Sequence, residues 1–529
     1  MKIAVLGGGP GGLFVAALAK SSDPSREVTL FERNQADDTF GFGVVFSDAT
    51  LAGIHDADPV LRDALTEFGV HWDRIEVRLH GEALGCDGNG MAAVERRTLL
   101  RLMQERAQQT GVDVRFSTEA DPDDLLAGGY DLVVAADGAN SRLREKFADV
   151  FEPSIETAAV KFIWLGTTYP YDGLTFVHER GPHGVFAVHG YPIGGGVSTF
   201  IVETDEESWR AAGLDEFDTA QPPGRSDEKS REYLRDLFAG QLDGHDLLVN
   251  NSRWADFRTR RAARWYHRVG DTAVAILGDA AHTAHFSVGS GTKMAMEDAI
   301  ELVAALDAQP ATPQGIDAAL ATYQQVRQPQ VAKIQGSARP SLSWWEHFGR
   351  SYDTLPPWQF AYHFFTRSLT DARLRRRDEA FVDATHERWV AEHGTPVLES
   401  GANVAGRVVP GRLVPVDDVA VHLPGDSPVP LRTEPAGDGE WALQVDAPQS
   451  EADLPPVLEA VAKGLAAGPV LVAVRGGNAL TRRLVCEEAR LGHGATTLLV
   501  PEVFDADVAV TEVLSGRADL VGTRLPGTP

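Results

Sequence analysis

The chain has 529 residues, more than a single hydrophobic core organises, so two or three domains are expected. Hydrophobic residues make up 43% and charged residues 24%, which argues against extensive disorder. A formal charge of −27 repels phosphate backbones and anionic lipid, so it disfavours nucleic-acid and membrane partners, and an anionic ligand would need a local arginine cluster. Two cysteines, Cys86 and Cys486, are too few for a disulfide framework or a zinc ribbon and read as reduced core thiols of a cytoplasmic protein. No apolar run approaches the ~20 residues that span a bilayer, and the opening IAVLGGGPGG is too short and glycine-rich for a signal peptide.

The apolar run Ile3 to Leu6 suits a buried parallel strand. Gly7, Gly9 and Gly12 follow in G-x-G-x-x-G spacing, then a helical pattern from Leu13 to Ala19, then a second apolar run, VTLFER, that brings Glu32 twenty residues after Gly12. This combination is the dinucleotide fingerprint. Gly7 permits the tight turn, Gly9 lets the backbone approach a pyrophosphate, Gly12 lets helix and strand pack closely, and the helix N-terminus offers N–H groups to phosphate. Glu32 would accept ribose hydroxyls. The pattern alone does not separate FAD from NAD. Further on, YDLVVAADGANSRLREKF predicts a strand, Leu132 to Ala136, ending at Asp137-Gly138, with Ser141 and Arg144 opening a helix; by itself this is an ordinary strand–turn–helix.

The runs AAVKFIWLGTTY, TFVHER and GVFAVHGYPIGGGVSTFIVE are rich in aromatic and β-branched residues between Gly and Pro turns, and predict a mainly antiparallel sheet carrying Tyr169, His178, His189 and Tyr191. FRTRRAARWYHR and ARLRRRDEAF are basic clusters in an acidic chain; such runs are usually solvated faces, but arginine forks also suit phosphates. Next, TAVAILGDAAHTAHFSVGSGTKMAMEDAIELVAAL predicts a strand, Ala273 to Leu277, a loop opening at Gly278-Asp279, and a helix from about Lys293 to Leu306. His282 and His285 could suggest a metal pair, but the segment is loop-like and offers only Asp279 as a further ligand, so no metal is expected. SLSWWEHFGRSYDTLPPWQFAYHFF reads as helices broken at Pro356-Pro357, and after His393 a Gly, Pro and Val-rich stretch leads into strand–helix–strand and helix–strand patterns.

The three glycine and aspartate motifs, in this order, resemble the class A FAD-dependent aromatic monooxygenases, relatives of para-hydroxybenzoate hydroxylase. The resemblance spans roughly residues 1–393. It implies an α/β fold: a Rossmann-like FAD-binding domain with a mainly antiparallel substrate sheet, plus a small C-terminal α/β domain. The implied organisation is a monooxygenase over 1–395, with FAD-binding parts at about 1–75, 91–155 and 265–340, the substrate sheet at about 76–90 and 156–264, and a helical cap at about 341–395. The tail, 396–529, resembles a shrunken old-yellow-enzyme barrel, about half the ~250 residues a full barrel needs. The resemblance further implies that FAD, bound tightly but non-covalently, is held by Gly7, Gly9, Gly12, Glu32, Arg33, Arg96, Asp137, Gly138 and Asp279, with Arg144 beside the Asp-Gly turn. Val44 and Val45 of GFGVVFS would lie against the isoalloxazine, and the helix start at Gly291, Thr292 and Lys293 would point its dipole at the ring.

FGFGVVFS and the loop after Asp279 look like the branch that acts on aryl-coenzyme A thioesters, the salicylyl-CoA 5-hydroxylases and 2-aminobenzoyl-CoA monooxygenases. Where many family members place two prolines over the flavin, this sequence has His285 and Phe286, which puts an ionisable ring near the reacting centre and makes His285 the catalytic candidate. Phe286, His189, Tyr191, Arg258 and Arg375 are the substrate-side candidates. The implied reaction is NAD(P)H- and O2-dependent hydroxylation of a 2-hydroxybenzoyl thioester para to its hydroxyl, through a flavin C4a-hydroperoxide. The nicotinamide, NADH favoured, would visit transiently, because no second dinucleotide fingerprint is present, and a homodimer is the expected assembly. A hydroxylase of a free phenolic or indolic metabolite, and a flavin-fold binding or escort protein, remain open alternatives.

Overall fold

The computed structural model describes residues 1–39, 41–217, 224–286, 289, 291–425, 427–434 and 439–524. The chain forms two compact units, one of residues 1–78 and 89–346, the other of residues 79–88 and 347–529. Among the described residues no helix is long and apolar enough to cross a membrane.

Among the described residues the first unit has two large sheets and a small three-stranded one, Gly43–Ser47, Met91–Glu95 and Val70–Trp72. In one large sheet, the strands Tyr266–Val269, Thr272–Ile276, Leu132–Ala135, Lys2–Leu6, Glu27–Phe31 and Asp113–Arg115 lie side by side in that order, all parallel except the first pair. The central strands are apolar on both faces, as the sequence runs require, because helices cover both sides. Pro10–Ser22 packs against Gly291–Asp307, an approach that Gly11 permits: a Cβ there would lie 2.7 Å from Leu277 and 3.2 Å from Ala295. These helices and strands make one continuous core. This parallel sheet puts the turns after Leu6, Ala135 and Ile276, which carry the three motifs, at the carboxyl ends of adjacent strands. In doubly wound sheets that is where ligands bind.

The other large sheet is the expected antiparallel one. Pro153–Thr167, Leu174–Gly181, Gly184–Gly194 and Val197–Thr204 are its main strands, Ala255–Ala262 and Leu247–Leu248 extend it at the first of them, and the strand starting at Ile75 joins parallel to Leu174–Gly181. Successive side chains alternate between its faces. The back face, with Ile163, Leu165, Val177, Phe186, Val188, Phe200 and Val202, is closed by Leu214, Leu234 and Phe238 from the segment that follows the sheet. The front face carries Phe162, Trp164, Tyr191, Ile193 and Ile201, joined by Phe286 from the loop after the third motif.

The second unit contains helices Pro357–Phe365 and Glu379–His393 and a closed barrel of seven strands: Leu413–Val416, Ala420–Val421, Val429–Arg432, Ala442–Ala447, Val472–Gly476, Thr497–Leu499 and Leu520–Arg524. Alternate residues of its strands serve two apolar clusters. Leu443, Val445, Val472 and Val474 pack with the helices Leu454–Leu465 and Ala479–Glu487, while Ala442, Leu471, Ala473, Leu498 and Leu520 join Val414, Val416 and Val421. This is the small C-terminal α/β domain read from the tail, closed as a barrel with fewer strands than a full one. Burial pushes the Cys486 thiol up, and Cys86 is also buried.

Candidate active site

The first motif forms a tight cradle. Gly7 has φ +107°, and a Cβ on it would lie 2.3 Å from the Ala136 carbonyl oxygen; one on Gly12 would lie 2.0 Å from the Gly7 oxygen. Gly9 meets nothing within 4 Å. It caps the helix Pro10–Ser22 without a side-chain hydrogen bond, so no cap side chain occupies the first helical N–H groups, which suit an anion. Glu32 sits at the next strand end, where its Oε2 accepts from Gly8 N at 2.6 Å and its Oε1 accepts from Asn34 N and Nδ2, both at 2.8 Å. Arg33 beside it is exposed.

Around this cradle lie Arg96, Asp279 and Asp137, none of which forms an ion pair among the described residues. Arg96 opens the helix Arg96–Thr110; among the described residues no hydrogen bond or ion pair holds its guanidinium, and burial holds its pKa below the usual value while Asp279 and Tyr191 pull it up. Asp279 is solvent-accessible, and the protein packed around it lifts its carboxyl above the ordinary range against the pull of His282, Arg96 and Arg260. Asp137 accepts from Arg142 N at 2.9 Å through one oxygen, its other oxygen is buried without a hydrogen bond, and burial raises its pKa. Gly138 follows in the left-handed region at φ +80°. A glycine turn that a Cβ would fill, an uncapped helix start, an arginine without an acid partner in contact and two recessed carboxylates match a dinucleotide with an anionic pyrophosphate and hydroxyl donors, so the donor set fits FAD. Arg144 has another role. Its guanidinium donates to the carbonyls of Ala139 and Ala280, at 2.9 and 3.1 Å, and so ties the Asp-Gly turn to the Gly-Asp turn.

The loop after Ile276 turns at Gly278, φ +59°, and is held by a residue that motif reading passed over. Asp298, fully buried on the helix Gly291–Asp307, accepts from Gly278 N at 3.0 Å, His282 Nε2 at 2.7 Å and Arg327 Nε at 2.9 Å. His282 is thereby a structural ligand of the loop. The helix begins at Gly291, so Gly291, Thr292 and Lys293 form its first turn. A cavity of about 200 Å³ is lined by Val45, Gly289, Lys293, Met91 and Ile334 among others, while Val44 points into the core at 6% exposure. Lys293 Nζ lies 3.7 Å from Glu297. Phe40, Ser287, Val288 and Ser290, parts of two quoted motifs, lie outside the described residues.

His285 and Phe286 meet the front face of the antiparallel sheet. The two rings stack at 4.3 Å, and Phe286 also touches Phe162 at 4.9 Å and Trp164 at 5.9 Å. His285, 2% exposed, has Nε2 3.0 Å from Glu203 Oε1, and His189 Nε2 meets Glu203 Oε2 at 2.8 Å. The His189 contact is a well-aligned hydrogen bond. Glu203 is fully buried; burial would raise its carboxyl, but the two imidazoles outweigh this and hold it down at about 2. Tyr191 donates to the Gly43 carbonyl at 3.3 Å, and burial pushes its hydroxyl up to about 12. That bond seats the strand Gly43–Ser47 on the sheet, where a Cβ on Gly43 would lie 2.3 Å from Ile193.

Arg258 is exposed on the edge strand Ala255–Ala262, next to Phe257, whose ring packs on His285 at 4.8 Å. Arg375 belongs to the second unit and is engaged by Asp383 and Glu379. The sequence reading missed Glu203 and Asp298. Both had a signal: Glu203 interrupts the apolar run STFIVET on the face shared with Ile201, and Asp298 sits among the alanines and methionines of a buried helix.

Residues 130–337 match the FAD binding domain family. A salicyloyl-CoA 5-hydroxylase from a Streptomyces species is 56% identical over 530 residues, covering 99% of this chain and 99% of that protein. The 3-hydroxy-4-methyl-anthranilyl-(aryl-carrier protein) 5-monooxygenase of Streptosporangium sibiricum is 37% identical over 345 residues, covering 65% of this chain and 89% of the relative. Among solved structures, the tetrameric form of 2-methyl-3-hydroxypyridine-5-carboxylic acid oxygenase superposes with a TM-score of 0.52 at 19% identity, covering 70% of this chain and 98% of the other, and shows the shared fold. Fold, cradle and relatives together define a flavoprotein that hydroxylates aromatic rings. The chain belongs to the FAD-dependent aromatic monooxygenases, in the aryl-CoA branch that includes salicyloyl-CoA 5-hydroxylase.

Proposed function

We propose that the enzyme hydroxylates the ring of salicylyl-CoA at carbon 5, para to the hydroxyl, consuming O2 and NADH or NADPH, NADH favoured. The observation that carries this reading is the 56% identity, end to end, with a salicyloyl-CoA 5-hydroxylase. FAD, when bound, supplies the electron storage and oxygen activation. The protein's part is to bind, orient and exclude water. The turn at Gly7, Gly9 and Gly12, with Arg96, Asp137 and Asp279, holds the dinucleotide. The aromatic wall of Phe162, Trp164 and Phe286 offers an aryl ring an apolar, water-poor face. His285, flanked by Phe257 and Phe286, takes the proton of the substrate's ring hydroxyl, which raises electron density at the para carbon. Arg258, exposed beside this wall, suits a phosphate of the coenzyme A portion. The remote coenzyme A then contributes binding energy that positions the ring.

The test is product analysis. Purified FAD-loaded enzyme is supplied with NADH or NADPH, O2 and salicylyl-CoA, benzoyl-CoA or 2-aminobenzoyl-CoA. Mass and ring-proton NMR of the product from salicylyl-CoA should show one added oxygen at carbon 5. Addition at another carbon, or NAD(P)H consumption with no oxygenated product from any thioester, would overturn the proposal.

A further inference from the structure

We infer that Arg258 and Arg260 form a paired docking site for the diphosphate of an adenosine-bearing small molecule taken up from solution, an anion distinct from the one held at the glycine turn. The inference extends the phosphate contact of Arg258 given above to a second arginine. It rests on that reading only where the ligand is the coenzyme A portion of the substrate.

The pair is an exception in charge pairing. The chain carries 76 acidic residues against 49 basic ones, so a surface arginine has acids at hand. Of the arginines in FRTRRAARWYHR, Arg261 meets Glu156 at 3.3 Å, Arg264 meets Glu152 at 4.0 Å and Arg268 meets Asp317 at 2.8 Å. Among the described residues no hydrogen bond or ion pair engages the guanidinium of Arg258 or Arg260, and Arg260 Nε is buried without a partner. On the neighbouring strand Pro153–Thr167 the residues opposite them are Thr157 and Ile155, which carry no charge. Burial, together with the like charges of Arg144 and Arg258, holds Arg260 below its usual pKa against the pull of Asp279 and Glu145. What this arrangement lacks is an anion.

The backbone beneath the pair is held on both sides. Arg258 and Arg260 are two residues apart on the strand Ala255–Ala262, so their side chains leave on one face from origins about 6.8 Å apart. Thr283, from the loop that opens at Gly278, clips this stretch. Its Oγ1 donates to the Arg258 carbonyl at 2.6 Å and accepts from Arg260 N at 2.8 Å, and its own N donates to the Arg260 carbonyl at 3.2 Å. Gln335 Nε2 donates to the same Arg260 carbonyl at 3.0 Å and to that of Thr283 at 2.7 Å. A guanidinium is a planar fork that meets phosphate oxygens in parallel bonds. Two forks on one strand face match two linked phosphates better than a single carboxylate. The glycine turn at Gly7, Gly9 and Gly12 already suits the diphosphate of FAD and lies at a different strand end, which leaves the pair for a second one. Both soluble ligands of the proposed reaction, the coenzyme A thioester and NAD(P)H, carry an adenosine diphosphate group.

The test uses FAD-loaded wild-type enzyme, Arg258→Gln, Arg260→Gln, the double variant, and Arg264→Gln as an arginine of the same cluster that already has an acid. Binding of coenzyme A is measured by calorimetry, with inorganic pyrophosphate as competitor. The NADH concentration for half-maximal flavin reduction is measured by anaerobic stopped flow. Each single substitution should weaken one of these ligands about tenfold, and the double variant should weaken it further, with FAD content and Tm unchanged. The difference from wild type should shrink as salt is raised, and pyrophosphate should compete in wild-type enzyme only. Weakened coenzyme A with unchanged NADH assigns the site to the thioester, the reverse assigns it to the nicotinamide dinucleotide, and either result supports the pair. Unchanged affinity for both ligands would overturn the inference. An equal loss in Arg264→Gln would overturn it as an effect of bulk charge, and loss of FAD from Arg260→Gln at unchanged Tm would overturn it by returning the pair to the FAD site. None of these measurements needs turnover, so an enzyme that forms no product from salicylyl-CoA fails the proposed function while the docking site is still decided.

Discussion

Replacing Asp298 by alanine should unseat the loop that follows Ile276 and, with it, the cofactor. The side chain is fully buried and accepts from Gly278 N, His282 Nε2 and Arg327 Nε at 3.0, 2.7 and 2.9 Å. Its loss leaves two nearly buried cations or potential cations, His282 and Arg327 at 2% and 3% exposure, without their shared acid. Removing one partner of a buried pair costs about 3–5 kcal/mol. Arg327 retains Glu297 at 3.0 Å, which puts this case near the lower end, about 3 kcal/mol, or roughly 4 °C in Tm for a unit of this size. The sign of the pH dependence follows from the carboxyl's environment. Burial alone would raise Asp298, but His282 and Arg327 outweigh it and hold it below the usual range. A depressed carboxylate contributes stability that is present above the unfolded value, about 3.9, and is lost as the pH falls through the folded one. The penalty of the substitution should therefore be full at pH 7 and shrink below about pH 4. Thermal unfolding by circular dichroism at both pH values, with FAD content by absorbance, measures this. Wild-type Tm and full FAD at pH 7 would refute the reasoning.

Three further outcomes follow from the same geometry. Asp279→Ala should fold but purify largely free of FAD, because the recessed acid opposite Arg96 is lost; a fully yellow preparation would contradict that role. Gly12→Ala places a Cβ 2.0 Å from the Gly7 carbonyl oxygen, so the turn must open, and FAD affinity measured by fluorescence titration should fall at least tenfold while the sheet still folds. His285→Ala should keep FAD and flavin reduction but divert NAD(P)H consumption from product to hydrogen peroxide, with hydroxylation down on the order of 10²–10⁴-fold. An unchanged product-to-peroxide ratio would reduce His285 to a packing residue.

The fold was legible where its physics is local. Glycine spacing, apolar runs of strand length and the Asp-Gly and Gly-Asp turns gave the parallel sheet and brought Gly7, Asp137 and Asp279 to adjacent strand ends. The aromatic, β-branched middle gave the antiparallel sheet, and the strand–helix alternation of the tail gave its α/β character, though not the closure into seven strands, which depends on pairing between Leu413–Val416 and Leu520–Arg524 across more than a hundred residues. The candidate site was harder to read, because its decisive contacts are long-range. Glu203 gains its meaning only from His285, which lies far away in sequence and meets it where a loop crosses the sheet's front face. Arg144 stands in a motif associated with the cofactor, yet the structure commits it to two carbonyls. Asp298 looked like one acid on a helix until the fold set Gly278, His282 and Arg327 around it.

The central claim, that the thioester is the true substrate of this aromatic monooxygenase, is tested most directly by comparing salicylyl-CoA with free salicylate under identical NADH and O2, scoring oxygenated product rather than NADH loss. The account predicts that kcat/KM for product formation is at least a hundredfold higher with the thioester, because remote binding energy positions the ring, and that the product carries its new hydroxyl at carbon 5. Equal kcat/KM for the two compounds would contradict it and point to a hydroxylase of free phenolic metabolites.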